Sequence, residues 1–161
     1  MTRTAIGLIS RLAAMLIAAF LTLTPTISTA ESVALRTSDA MKYFHAICGA
    51  TLPDFANAPA ALQRNGFQQH GTGTWFLPDQ SVSIKILDGP GMGKSCSFVA
   101  NSVDNEATIK AAVAESLPGM GRAVPNATLY PNSRALVEMR PEIGKFDGVS
   151  IFSLRMMSDR N

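Results

Sequence analysis

Histidine, cysteine and tryptophan are scarce in this chain: two, two and one among 161 residues. There is no His-Glu-x-x-His motif, no Cys-x-x-Cys and no histidine pair at metal spacing, so neither a metal nor another cofactor is expected. No Gly-x-Ser-x-Gly elbow and no Ser-x-x-Lys pair nominates a nucleophilic serine. Charge is thin as well, at 16% Asp, Glu, Lys and Arg. No run of Lys or Arg occurs, which removes the electrostatic footprint that nucleic acid or an anionic membrane would need. Aromatics make up only 7%, so a core must rely on Ile, Val, Leu, Met and Ala.

What is present begins with an address. Arg3 and Arg11 stand around and before a short apolar stretch, Leu12 to Leu21. Pro25 follows, and then Ser28-Thr29-Ala30 before Glu31. A positive n-region, a short h-region and small residues where a signal peptidase reads are the marks of a cleaved secretory leader. The apolar run is shorter than the roughly 20 residues a membrane span requires. A retained anchor would need Ile6 to Ser10 to join the span across Arg11. No cysteine in the leader offers a site for lipid. Residues 1–30 are therefore expected to be a removed signal peptide. Residues 31–161 are expected to form a single exported domain with no stable membrane insertion, in the periplasm or secreted.

Export changes the charge and the sulfur chemistry. The 14 basic residues include Arg3 and Arg11, whereas all 12 acidic residues lie from Glu31 onward, which leaves the mature chain formally neutral. Cys48 and Cys96 are the only two cysteines. An oxidising compartment favours joining them, and closing so long a loop is worth about 4 kcal/mol by the chain-entropy estimate. The competing reading is a reactive thiol, with His45 one helical turn before Cys48.

The mature chain reads as alternating helical and strand patterns. Thr37 or Ser38 can cap a helix from about Asp39 to Cys48, in which Met41, Phe44, His45 and Cys48 share one face. Asn57, Pro59 and Gly66 bracket a second helix from Ala58 to Asn65. Strands are expected at Thr74–Leu77, Ser81–Ile86 and Ser95–Ala100, with a loop at Asp88–Gly93. A third helix should span Asp104 to Leu117, with Glu106 and Lys110 paired on its outside. A Pro- and Asn-rich connection covers Pro125–Asn132. Two further strands are expected at Arg134–Arg140 and Gly148–Met157, joined through Pro141–Asp147. No repeat of domain scale is visible. The order α-α-β-β-β-α-β-β indicates an α+β fold: a single antiparallel sheet of about five strands with helices on one face.

A few segments invite a chemical reading. Gly89-Pro90-Gly91-Met92-Gly93-Lys94-Ser95 resembles a phosphate-binding loop, but the spacing is one residue short. Asp88 stands where a glycine is needed, and a strand follows instead of a helix. Its core, Pro90-Gly91-Met92-Gly93-Lys94, recurs as Pro118-Gly119-Met120-Gly121-Arg122. Two loops would each present a flexible methionine beside a cation, and methionine adapts to irregular apolar surfaces. Gly91, Met92, Lys94, Met120 and Arg122, with Trp75 nearby, are therefore the candidate binding residues. The alternative is two ordinary turns that match by chance. Glu138 and Glu142 are a carboxylate pair by proximity only. His45 is either a core histidine or a general base, and His70 falls in an exposed loop.

With no assembled catalytic set, the expected function is a non-catalytic exported binding protein of the cell envelope. Its partner would be an envelope or secreted protein, or a small apolar ligand. Two other readings compete with it. One is a small periplasmic or secreted hydrolase using His45. The other is a proteinaceous inhibitor of a secreted enzyme, with loop 88–94 projecting into the enzyme's cleft.

Overall fold

The computed structural model describes residues 33–89, 93–117, 119, 121–124, 127–131 and 135–158. The leader, the start at Glu31, and Gly91, Met92 and Met120 lie outside the described residues. Helix α1 spans Thr37–Phe44 and α2 spans Ala58–Arg64. Four strands follow: β1 Gln68–Gln69, β2 Thr74–Phe76, β3 Val82–Gly89 and β4 Gly93–Ser102. Helix α3 spans Glu106–Ser116. Four more strands complete the domain: β5 Arg122–Val124, β6 Ala127–Pro131, β7 Ala135–Phe146 and β8 Val149–Ser158. The fold is α+β, with one antiparallel sheet ordered β1-β2-β3-β4-β8-β7-β6-β5.

Each half of the sheet is a four-stranded meander entered from a helix, and the last strands of the two meanders, β4 and β8, pair at the centre. All five expected strands are present as β2, β3, β4, β7 and β8. Short strands add to both edges: β1 on one side, and on the other a β5–β6 hairpin, whose second strand falls in the segment expected to be a Pro- and Asn-rich connection. The Pro141–Asp147 segment, expected as a linker, instead prolongs β7 to Phe146. A bulge sets five residues, Arg140 to Gly144, against three, Ser153 to Ile151. Pro141 sits within that bulge, where the ladder does not ask it for an N–H. Asp147 and Gly148 then turn the chain with φ of 51° and 78°, the positive values that a tight two-residue hairpin turn requires.

Strict alternation builds the core. Val82 and Ile84, Cys96, Phe98 and Ala100, Val137 and Met139, and Phe152, Leu154 and Met156 are all buried on one side of the sheet. Met41, Phe44 and Ile47 from the first helical segment join the same cluster, as do Ile109 and Val113 from α3 and Leu62 from α2. Phe44 meets Phe98 edge to face at 5.5 Å between centroids, a geometry that adds to the area buried. Helices thus cover a single face.

Helix α1 does not run to Cys48 as its apolar spacing suggests. After Phe44 the chain widens into a π-turn, His45–Gly49, closed by the Ala50 N–H donating to the His45 carbonyl five residues back at 2.9 Å. Past Phe44, Ile47 and Cys48 stay inward, while His45, its N–H still bonded in helical fashion to the Met41 carbonyl, faces solvent. The cap differs too. Neither Thr37 nor Ser38 caps α1; the Thr37 N–H donates to the Asp104 carboxylate at 2.7 Å. Thr37 and Ser102 hydroxyls meet at 2.9 Å, and Ser102 Oγ accepts from the Asp104 N–H.

Cys48 and Cys96 form a disulfide, with 5.6 Å between Cα atoms. It ties the π-turn to central strand β4. Helix α2 ends as its sequence indicates: Gly66 takes φ 82°, and the Phe67 N–H returns to the Leu62 carbonyl at 3.0 Å.

Candidate binding face

The face of the sheet away from the helices is built by the residues between the core positions. Paired residues in antiparallel strands project to the same side, so the register orders this surface into rows. In the central row Lys85 opposes Ser97, Ser97 opposes Arg155, and Arg155 opposes Glu138; the register continues through Leu129 to Arg122. In the next row Ser83 opposes Val99, Val99 opposes Ser153, and Ser153 opposes Arg140. No described helix lies over these rows.

The charges here are unequal. Lys85, Arg122, Arg140 and Arg155 stand against the single carboxylate of Glu138 among the described side chains of this face. Glu138 is held down, with only 20% of its side chain exposed, and meets Arg140 Nε at 3.4 Å. Arg155 folds over the sheet and donates from Nε to Ser95 Oγ at 3.2 Å, which helps enclose Ser95. Between these groups lies a shallow depression of about 300 Å3, floored by Ser97, Val99 and Ser153 and walled by Leu87, Glu138 and Arg140.

One end of this face is apolar. Phe146 opposes Val149, and Val103 directly follows Ser102, which opposes Ser150. Phe146 and Val149 are therefore cross-strand neighbours beside the Asp147–Gly148 turn, and Val103 follows the end of β4. Phe146 is 69% exposed and Val103 64%. Large exposed apolar side chains grouped together are a different matter from one scattered alone.

The residues singled out from sequence are placed as follows. Gly89 and Gly93 pair across the β3–β4 hairpin, so the glycine-rich segment resembling a phosphate loop joins two strands and opens no helix. Lys94 opposes Asp88 there, with Nζ 3.8 Å from its carboxylate. Arg122 begins β5, four strands from β4. The spacing of neighbouring strands sets the two roughly 19 Å apart across the sheet. Trp75 does not belong to this surface. It sits on β2 opposite Ile84, on the covered face, and is 5% exposed. Period-2 alternation made either face open to it, and burial of its large ring decides the matter.

His45 is exposed, and among the described residues no side chain hydrogen-bonds to it. No group of three or more His, Cys, Asp or Glu suited to a metal occurs among the described residues. His70 is exposed beside Phe76, 5.4 Å between ring centroids. Sequence reasoning passed over Arg140, Arg155, Lys85 and Phe146. The signal for the first three was the same strand alternation that located the core, read for its polar positions. For Phe146 it was the Asp-Gly pair that follows.

These features define a disulfide-stapled α+β domain whose sheet is covered by helices on one side and open on the other. No protein-family model, no curated protein and no solved structure matches the chain. No helix among the described residues is long and apolar enough to cross a membrane.

Proposed function

We propose that this chain is an exported, non-catalytic binding protein of the cell envelope, and that the open face of its sheet is where it meets a partner. The observation that carries the reading is the division of the sheet into one face sealed by three helices and one face left with half-buried apolar side chains and excess cations. An antiparallel sheet can leave its second face to water, but here half-buried Leu87, Val99 and Ile151 stand among the cations of that face, which favours a contact surface. The disulfide supports folding in an oxidising compartment. The leader of residues 1–30 supports delivery there, periplasmic or secreted.

The test is site-specific photo-crosslinking in the native host, with the probe at Ser153 on the open face or at Glu115 on the outside of α3. Adducts from Ser153 and none from Glu115 are expected. Adducts confined to Glu115 would overturn the reading. A mass spectrum of the exported protein should show a chain starting at Glu31 and lacking two hydrogens.

An inhibitor of a secreted enzyme is a second reading within the same class. It is favoured by the β7–β8 hairpin, in which the exposed Phe146 stands immediately before the two-residue turn. Retention of an active hydrolase on the immobilised protein, with loss of its activity, would single out that version.

A further inference from the structure

We propose that the partner of the open face is a protein segment rich in carboxylates with an apolar anchor, an inference that rests on the reading of that face as the contact surface. Charge complementarity carries it. On a chain that is neutral once the leader is gone, the described side chains of this face hold Lys85, Arg122, Arg140 and Arg155 against Glu138 alone. The three helices on the other side are themselves balanced, with Asp39, Glu106 and Glu115 against Lys42, Arg64 and Lys110, so the cation excess is particular to the open face.

The spacing of the cations suits side-chain carboxylates. Lys85 and Arg155 share one row, and Arg140 lies in the adjacent row. Arg155 is already oriented by Ser95, and the 3.4 Å contact of Arg140 with Glu138 is long and solvent-exposed. A guanidinium in that state exchanges a weak intramolecular contact for a bidentate one to an incoming carboxylate.

A uniform polyanion would explain the cations but not what lies among them. Val99 and Leu87 line the depression, and Phe146, paired with Val149, puts an exposed aromatic ring at the end of the face. Mixed apolar and cationic surface matches a protein with acidic and aliphatic or aromatic side chains. A nucleic acid or a phospholipid headgroup layer matches it less well. Aromatic and arginine side chains are among the groups on which protein–protein contacts most depend.

The experiment is selection of a random peptide library, displayed on phage, against the oxidised mature protein, followed by binding of the synthesised winners. Enriched peptides are expected to combine several Asp or Glu with a large apolar residue. Their affinity should fall roughly tenfold in Lys85→Glu/Arg140→Glu and with added salt, and severalfold in Phe146→Ala. All three positions are exposed, and circular dichroism melting checks that each variant remains folded.

Enriched peptides without an acidic excess, or equal binding to the charge-reversed variant, would overturn the inference. So would recovery of no peptide while the protein sediments with phosphatidylglycerol vesicles or shifts a DNA oligonucleotide. Non-acidic peptides whose binding is lost on substitution of Ser153 would defeat the acidic class alone and leave the open face as the contact surface. The two failures are thereby told apart.

Discussion

Asp104 reaches a residue 67 positions earlier in the chain, accepting the Thr37 N–H that begins α1. That bond, with help from the Thr37 and Ser102 hydroxyls, holds the carboxyl below its ordinary value of 3.8. A carboxylate at a helix N-terminus satisfies an orphan donor and complements the helix dipole. Asp104→Ala should therefore cost about 1–2 kcal/mol near neutral pH. Because the folded value is depressed, this stability is fully present above the unfolded value of about 3.9. It fades as pH falls through the lower folded value. Urea unfolding of both proteins should show the gap at pH 7 and its closure in strong acid; a gap unchanged at low pH would assign the loss to packing instead. The local sequence had Thr37 and Ser38 as capping candidates. A cap supplied from the β4–α3 junction leaves no trace within several residues of the helix it serves.

At the scale of elements, alternation and turn chemistry were legible and widened turns were not. Val82, Ile84 and Ile86 on β3, and Cys96, Phe98 and Ala100 on β4, read as half-buried strands because period 2 is strict there. The same held for the Gly66 stop of α2. His45 is an exception. It lies in phase with Met41, Phe44 and Cys48 for a regular helix, yet it is exposed, at the edge of the buried stripe where a widened turn begins. Nothing in the spacing announces such a turn. The linker read at Pro141–Asp147 failed for a related reason: Pro141 looked like a strand terminator, and only a bulge makes it compatible with a strand. Asp147-Gly148 was the true punctuation. Gly148→Ala should cost about 1–2 kcal/mol, since its φ of 78° places a Cβ against the following carbonyl. Chemical denaturation measures that loss. No change in the midpoint would mean that the turn relaxes without help from glycine.

For the whole molecule, one fold unit is used twice. A helix leads into a four-stranded meander, and the two meanders join through β4 and β8. No sequence repeat signalled this, because α1, the π-turn and the disulfide belong to the first half alone. The Pro-Gly-Met-Gly recurrence does not mark equivalent places either: one copy is the β3–β4 turn and the other precedes β5. The open face was likewise invisible as a unit. Lys85, Arg122, Arg140 and Arg155 are far apart in sequence, and only the strand order sets Lys85, Arg155 and Arg122 in a single line. The cross-link staples the first half alone, holding the π-turn to β4 at the centre of the sheet. Cys48→Ser/Cys96→Ser is expected to lose about 2–5 kcal/mol, read from thermal or urea unfolding of the mature protein.

Both sulfurs are fully enclosed, each residue at 0% exposure beneath the first helical segment. A small reductant has no native route to them, so it must wait for that segment to lift from β4. The speed at which dilute thiol severs the link in the intact protein is thus a clock for how often the roof opens. A partner seated on the opposite side of the sheet would slow that clock without touching the sulfur.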